Sequence, residues 1–327
     1  MNMVRLFVFL FHSLLASQSS AFVSPGKIAF PPHARTQTRL CESFAETALS
    51  ISSVAGSLRG KTIVVKYGGN AMTSPELAQG FCQDVAALQK LGIRVVVVHG
   101  GGPQISSMLE KLGVATRFEG GMRVSSTEVV EVAEMILCGS VNKGIASSIC
   151  SAGGRAIGLS GRDDNLLQCT KQENKDGFDL GFVGKVETVN VAMLESILEL
   201  GITPVVSPIG TGIGTEKDIA YNVNADAAAG RIAGELKAHR VLFLTDIAGV
   251  LDKEKNLLRN LTVQKIDDLI EDETITGGMI PKVTFATSAV QLGVQEAFIT
   301  DGRVPHALLS QVLGSVDSEG GTIVTLS

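Results

Sequence analysis

Apolar and polar positions follow two periods along the chain. The runs TIVVK (62–66), RVVVV (94–98), RAIGL (155–159), TPVVSP (203–208), RVLFLT (240–245) and AFIT (297–300) are almost unbroken in their apolar character. A strand reads this way when both faces of its sheet are covered. Between such runs the period lengthens. Leu77, Phe81, Val85 and Leu88 share one helical face, in a segment capped by Thr73 or Ser74 with Pro75 in its first turn. Ile105, Met108, Leu109 and Leu112 share another, and ESFAETALSISSVAGSL (42–58) predicts a further helix. Strand and helix in alternation predict parallel pairing through crossovers. The expected fold class is therefore α/β, a three-layer αβα sandwich around a central, mainly parallel sheet.

Glycine-rich turns follow several of the strands: Gly68 and Gly69, Gly100 to Gly102, Gly210 to Gly214, and Asp246 to Gly249. Ligands of open parallel sheets bind beyond the carboxyl ends of the strands, where these turns would converge. Bare backbone N–H groups suit anions, and Lys66 places a cation beside the first turn. Together they predict a ligand carrying several phosphate or carboxylate groups.

Composition narrows the classes. With 327 residues and 45% hydrophobic content the chain can bury one large core or two lobes. No tryptophan and 5% aromatics leave that core to Val, Ile, Leu and Ala. The net charge is -5, and the first 41 residues hold four of the 28 basic residues and no acid, so the remainder stands at -9. Nucleic-acid and membrane-surface binding by the folded part are thereby disfavoured. The five cysteines, Cys41, Cys82, Cys138, Cys150 and Cys169, form no CxxC pair or zinc spacing and read as free thiols of a reducing compartment.

The amino-terminal stretch MNMVRLFVFLFHSLLASQSSA has one basic residue, an apolar run too short to span a bilayer, and small residues at Ser19 and Ala21. That is the layout of a signal peptide. The acid-free, hydroxyl-bearing stretch that follows resembles a transit peptide. The pair, with Phe22 after the expected cut, resembles the two-part leaders of algae whose plastids have extra membranes. The resemblance implies residues 1–41 as a signal plus transit peptide and the plastid stroma as destination. Secretion is the competing destination, and the lack of a disulfide pattern speaks against it.

Several nucleotide signatures are missing. There is no GxxxxGK[ST] loop, no GxGxxG opening a helix with an acid twenty residues on, and no protein-kinase set. Ser160 in GLSGR lacks the strand-elbow context of a hydrolase nucleophile. What the sequence does hold, in order, is KTIVVKYGGNAM, VVVVHGGGPQI, GMRV, NVNAD, LTDIAGVLD and GGMIPKV. These blocks resemble the amino-acid kinase superfamily and, within it, the N-acetyl-L-glutamate kinases, over about residues 59–303.

The resemblance implies an amino-acid kinase fold with an N-lobe at 59–228 for acetylglutamate binding and dimerisation, and a C-lobe at 229–327 for ATP. It implies ATP-dependent phosphorylation of the side-chain carboxylate of N-acetyl-L-glutamate to N-acetyl-L-glutamyl 5-phosphate, the second step of arginine biosynthesis. ATP is then a co-substrate with Mg2+ held chiefly by the nucleotide, and no protein metal ligand is expected. Lys66 and Lys282 are the implied phosphoryl-binding cations and Asp226 the acid that positions both. Gly101, Gly102, Arg123 and Asn222 would bind the acceptor. Gly68, Gly69, Thr245, Asp246, Gly249, Gly277 and Gly278 would bind the nucleotide and its phosphates. His99 is expected to close the strand end and take no part in chemistry.

KTIVVKYGG and the helix before it resemble most the hexameric, arginine-inhibited branch, built from dimers, many of whose members in oxygenic phototrophs also answer to the PII signalling protein. Gln311 stands where that branch leads one to expect a glutamate, two extra residues precede Gly320, and position 162 is arginine. A kinase of the same fold acting on aspartate, glutamate or a nucleoside monophosphate is the first alternative, and a non-catalytic arginine sensor the second. Retention of Lys66, Asp226 and Lys282 together argues against the latter.

Overall fold

The computed structural model describes residues 32–72, 74–173, 177–314 and 320–327. Residues 1–31, which hold most of the expected leader, the alternative cap Thr73, residues 174–176 and 315–319, and the Cys41 side chain lie outside the described residues. The described residues 32–49 belong to one compact unit, and Ser50–Ser327 forms another. The helix expected at 42–58 runs from Pro32 to Leu58. Pro32 is tolerated at its start because the first N–H groups of a helix need no intrahelical acceptor. In the second unit Ala55 and Leu58 of this helix are buried.

Among the described residues the strands are, in chain order, β1 Thr62–Tyr67, β2 Arg94–His99, β3 Phe118–Glu119, β4 Met122–Arg123, β5 Ala156–Ser160, β6 Leu167–Lys171, β7 Val183–Val189, β8 Thr203–Ser207, β9 Ile209–Gly212, β10 Ala220–Val223, β11 Arg240–Thr245, β12 Asn260–Thr262, β13 Glu296–Asp301 and β14 Thr322–Thr325. Eight of them pair in the order β12-β14-β13-β11-β1-β2-β8-β5. Only β13 with β14 is antiparallel, so the sheet is mainly parallel as the apolar runs predict.

Strand alternation sorts the side chains into two cores. Val64, Val96, Val98, Val241 and Phe243 pack with the helices Ala225–Glu235 and Met279–Gln291. Ile63, Val65, Tyr67, Val95, Val97, Leu242 and Leu244 pack on the other face with Pro75–Lys90, Asn142–Ser151 and Ala307–Leu313. These are the three layers. The expected lobes share one sheet, joined where β1 pairs with β11, and the boundary at 228/229 falls inside the helix Ala225–Glu235.

Parity then decides which face each chemical group meets. Lys66, two residues on from Val64, faces the helices Ala225–Glu235 and Met279–Gln291. The first of these, ADAAAGRIAGE, buries Ala228, Ala229, Gly230, Ala233 and Gly234 and carries little bulk. A Cβ on Gly234 would come within 2.5 Å of Leu292 Cβ, so only a hydrogen there lets the chain end of the second helix approach so closely. Ser74 caps the helix Pro75–Lys90 by accepting from Leu77 N at 3.3 Å.

One expectation is corrected. Gly210 to Gly214 does not form a turn on the ligand edge. Gly210 and Gly212 lie inside β9, which closes a four-stranded barrel with β6, β7 and β10. Side chains at those positions would run into Cys169 Sγ and the Glu216 backbone, so barrel packing accounts for both glycines.

Candidate active site

Asn224 caps the helix Ala225–Glu235, its Oδ1 accepting from Asp226 N at 2.8 Å and Ala227 N at 3.2 Å. Asp226 therefore sits in the first turn, where the helix dipole favours a carboxylate. Its Oδ1 lies 3.3 Å from Lys66 Nζ, both side chains largely shielded from solvent. Lys282 sits in the first turn of Met279–Gln291, half-buried. Burial pushes its ammonium below the ordinary range; Asp226 opposes that shift, Lys66 adds to it, and Asp246 opposes it. Lys282 is thus within electrostatic reach of all three. The two lysines and Asp226, far apart in sequence, form one cluster.

The glycine turns close around it. Gly69 has φ +66, and a Cβ there would stand 2.8 Å from Asp246 Oδ1. The turn after β1 and the turn after β11 therefore touch, and residue 69 must be glycine on two counts. Gly69→Ala should lower turnover about tenfold and stability by about 1 kcal/mol, as expected for a side chain forced into the left-handed region. Steady-state kinetics and a denaturant titration check this; unchanged turnover would remove the turn from the chemistry. Gly277 and Gly278 precede Met279–Gln291, whose start has no side-chain cap, and a Cβ on either would meet nothing within 4 Å. Met279 N and Ile280 N already donate to Thr276 O and Gly277 O, each at 3.2 Å, so what the turn offers a phosphate is open space at the positive end of the helix. Thr245 is buried at the end of β11 and its carbonyl accepts from Gly302 N at 2.8 Å. Gly249 packs on Thr322, with room for no side chain.

Lys66, Gly68, Gly69, Gly101, Gly102, Arg123, Asn222 and Asp226 line one cavity of about 290 Å3, large enough for a small dicarboxylate. Arg123 is buried, and burial lowers the basicity of its guanidinium. It donates to Thr116 Oγ1 (3.1 Å), Gly102 O (3.0 Å) and Ser106 Oγ (2.8 Å) and lies over the Phe118 ring at 4.6 Å. Among the described residues no carboxylate pairs with it, so a buried cation awaits an anion. Asn222 Nδ2 donates to Ser125 Oγ at 3.1 Å, leaving its carbonyl as acceptor for an amide N–H. Thr245, Asp246, Gly249, Gly277, Gly278 and Lys282 are not on this cavity's wall; they form the neighbouring edge, joined to it through Gly69 and Asp246.

Sequence reasoning missed Asn224, Ser106, Thr116, Phe118 and Leu137. The first had a signal, an Asn directly before a helical ADAAA run. Thr116 and Phe118 lie only seven and five residues before Arg123, yet they, Ser106 and Leu137 carry no residue pattern that marks them. Arg162 pairs with Glu134 at 2.7 Å. Ser160 shapes a turn, its N–H donating to Asp163 Oδ2 at 2.7 Å. Cys82, Cys138, Cys150 and Cys169 are all free thiols.

The model of the amino acid kinase family matches residues 61–301. An acetylglutamate kinase of Neisseria meningitidis serogroup C is 47% identical over 271 residues, 80% of this chain and 90% of the relative. One from Rhizorhabdus wittichii is 50% identical over 274 residues, 81% and 90%. Among solved structures, N-acetylglutamate synthase from Neisseria gonorrhoeae, complexed with coenzyme A and N-acetyl-glutamate, superposes with TM-score 0.76 at 22% identity over 86% of this chain; the chain spans 63% of that protein. Carbamate kinase from Giardia lamblia bound to AMP-PNP gives 0.61 at 16% identity, covering 82% of this chain and 99% of that one. At such identities the two structures bear on the fold alone.

Proposed function

The chain belongs to the amino acid kinase family, and from that premise and the cluster of Lys66, Asp226 and Lys282 we infer that it phosphorylates the side-chain carboxylate of N-acetyl-L-glutamate with ATP. Named relatives at 47–50% identity support that acceptor. A side-chain carboxylate has a pKa of about 4.3, so it is ionised at neutral pH and needs no general base. The obstacle is electrostatic, since an anion must approach a triphosphate. Lys66, steered by Asp226, meets the phosphoryl from the acceptor side. Lys282 meets it from the nucleotide side, with the Gly68–Gly69 amides between. An oxygen–phosphorus bond forms to the acceptor as the bond to ADP breaks, and both ammonium groups hold the charge spread over the transferring group.

Mg2+ belongs to this reading as the nucleotide's own ion, neutralising the β- and γ-phosphates. Among the described residues no group of three or more His, Cys, Asp or Glu side chains could hold a metal, and Asp226 is committed to Lys66. The donor set fits an ion held by phosphate and water. Incubation with MgATP and N-acetylglutamate, trapped with hydroxylamine, should yield the hydroxamate of an acyl phosphate. No product at saturating substrates would end the reading, and a panel of aspartate, glutamate and nucleoside monophosphates should turn over far more slowly.

Arginine control enters as a finer proposal. Arg240, Arg259, Glu296 and Gln311 line a small cleft of about 80 Å3 beside β13 and β14. Glu296 already pairs with Arg240 at 2.7 Å, and the Gln311 amide donates to Gly320 O at 2.8 Å. A guanidinium ligand thus finds an amide where a carboxylate would add charge-assisted bonding. Arginine should inhibit weakly, and Gln311→Glu should lower the half-inhibiting concentration about tenfold, equivalent to about 1–2 kcal/mol. An arginine titration of both proteins checks this; equal curves would remove Gln311 from control. A dimer-based hexamer, PII binding and delivery to a plastid stroma belong to the same proposal. Sizing of the leaderless protein, a PII pull-down and imaging of a leader fusion test them in turn.

A further inference from the structure

One residue, Gly100, joins the two glycine turns of the cavity. Gly100 N donates to Tyr67 O, and Gly100 O accepts from His99 Nδ1, each at 2.8 Å. A carbonyl has no proton to give, so the second bond requires the imidazole hydrogen on Nδ1. The other ring nitrogen is constrained independently. Asn142 Nδ2 lies 2.7 Å from Val205 O, 3.2 Å from Leu159 O and 3.1 Å from His99 Nε2. The two carbonyls turn the amide nitrogen toward them; its two hydrogens are shared among three acceptors, and because it has no lone pair to offer a ring N–H, Nε2 must be the unprotonated nitrogen. Both ends demand the same neutral tautomer.

The surroundings agree. His99 is fully buried, and burial lowers its basicity to about 4 against the opposing bond to Gly100; among the described residues no charged side chain contributes. Lys143, beside Asn142, donates to Gly158 O at 2.7 Å instead. Asn142 follows a π-helical turn, Met135–Val141, of the kind that re-aims side chains at functional sites. That turn also sets Leu137 against Gly101, whose Cβ would stand 2.5 Å from Leu137 Cδ2. Asn142 is itself fully buried, and among the described residues its Oδ1 has no hydrogen-bond partner. A residue that only filled space would do better as leucine, since an unpaired buried oxygen is costly.

We propose that Asn142 and His99 are positioning residues: the amide locks the imidazole as its neutral Nδ1–H tautomer, the ring pins the Gly100 carbonyl, and the Gly101–Gly102 backbone is thereby set for the acceptor. This rests on the acceptor reading of that loop, yet its tests separate from it. In His99→Asn the side-chain amide can replace the Nδ1–H donor, whereas His99→Leu cannot. We expect kcat/KM near wild type for the first and about tenfold lower for the second, at similar melting temperatures.

Asn142→Asp carries the sharper signature. A carboxylate accepts from Nε2–H. While the imidazole is protonated it still donates from Nδ1 to Gly100 O; once neutral it gives up the Nδ1 proton and turns a lone pair on that oxygen. Relative to wild type in the same buffers, activity of this variant should fall as pH rises from about 6 to about 9. Nitrogen-15 spectra of histidine-labelled wild-type protein should show His99 as the Nδ1–H form, a readout that needs no acceptor. An Nε2–H form, equal kcat/KM in the two His99 variants, or a folded Asn142→Asp that tracks wild type across the pH range would overturn the proposal. Wild-type protein inactive on N-acetylglutamate but showing the Nδ1–H form would instead sink the acceptor reading.

Discussion

Lys282→Ala should lower turnover by about 10²–10³-fold while the KM for N-acetylglutamate changes little, which corresponds to about 2.7–4 kcal/mol of transition-state stabilisation from one preorganised charge. The asymmetry follows from place. Lys282 stands outside the cavity that holds Arg123 and Asn222 and is in electrostatic contact with Asp226 and Lys66 on its wall. Removing it should spare acceptor binding and expose the negative charge of the transferring phosphoryl. A second reading comes from pH. Burial lowers the Lys282 ammonium below its ordinary range, so the charged form is full at low pH and is lost as pH rises through that lowered value. The alkaline limb of the kcat profile should begin below where a solvated lysine would put it. Lys282→Arg, slower because a planar fork replaces a point charge, should carry that limb to higher pH. Turnover that survives Lys282→Ala would remove the residue from the chemistry. An unmoved limb in Lys282→Arg would assign that ionisation elsewhere.

The pairing of Lys66 with Asp226 shows why part of the site is legible in the sequence. A fully buried strand has a strict period of two, and a glycine turn at its end fixes where the period stops. Once TIVVKY is taken as a strand, Lys66 has to share a face with Val64. The helix ADAAAGRIAGE has so little bulk that it can only pack closely, which brings its first-turn acid to that lysine. The six apolar runs appear in the sheet with boundaries shifted by a residue or two at most. What stayed hidden has short or mixed patterns. LQCTK and VGKVETV do not announce a barrel, because a four-stranded ring closes through glycine contacts that only the partner strand reveals. From the sequence alone Gly210 and Gly212 look like ligand-edge glycines for that reason. Asn142 and the π turn were equally silent, since a one-residue widening of a helix leaves the apolar spacing almost unchanged.

Arg123→Ala should raise the KM for N-acetylglutamate by about 100-fold, with a smaller fall in kcat. Arg123 is buried, held by Thr116, Ser106 and the Gly102 carbonyl, and stacked on Phe118, so its fork is oriented before any ligand arrives. A charge-assisted contact of this kind is worth about 1.5–3 kcal/mol net, and its loss also leaves the acceptor's α-carboxylate unpaired in a partly dry cavity. Arg123→Lys separates charge from geometry. It keeps the positive charge but cannot donate to Thr116, Ser106, Gly102 and a carboxylate at once, so about tenfold of the KM effect should remain. The KM for ATP should stay within about twofold in both variants, because the residues proposed for the nucleotide, Thr245, Gly249, Gly277 and Gly278, do not line the cavity that holds Arg123. Equal rises in both KM values would mean a general collapse of the cavity. A KM for N-acetylglutamate left unchanged by Arg123→Ala would take the α-carboxylate away from Arg123, and the unpaired guanidinium would then need a different anion.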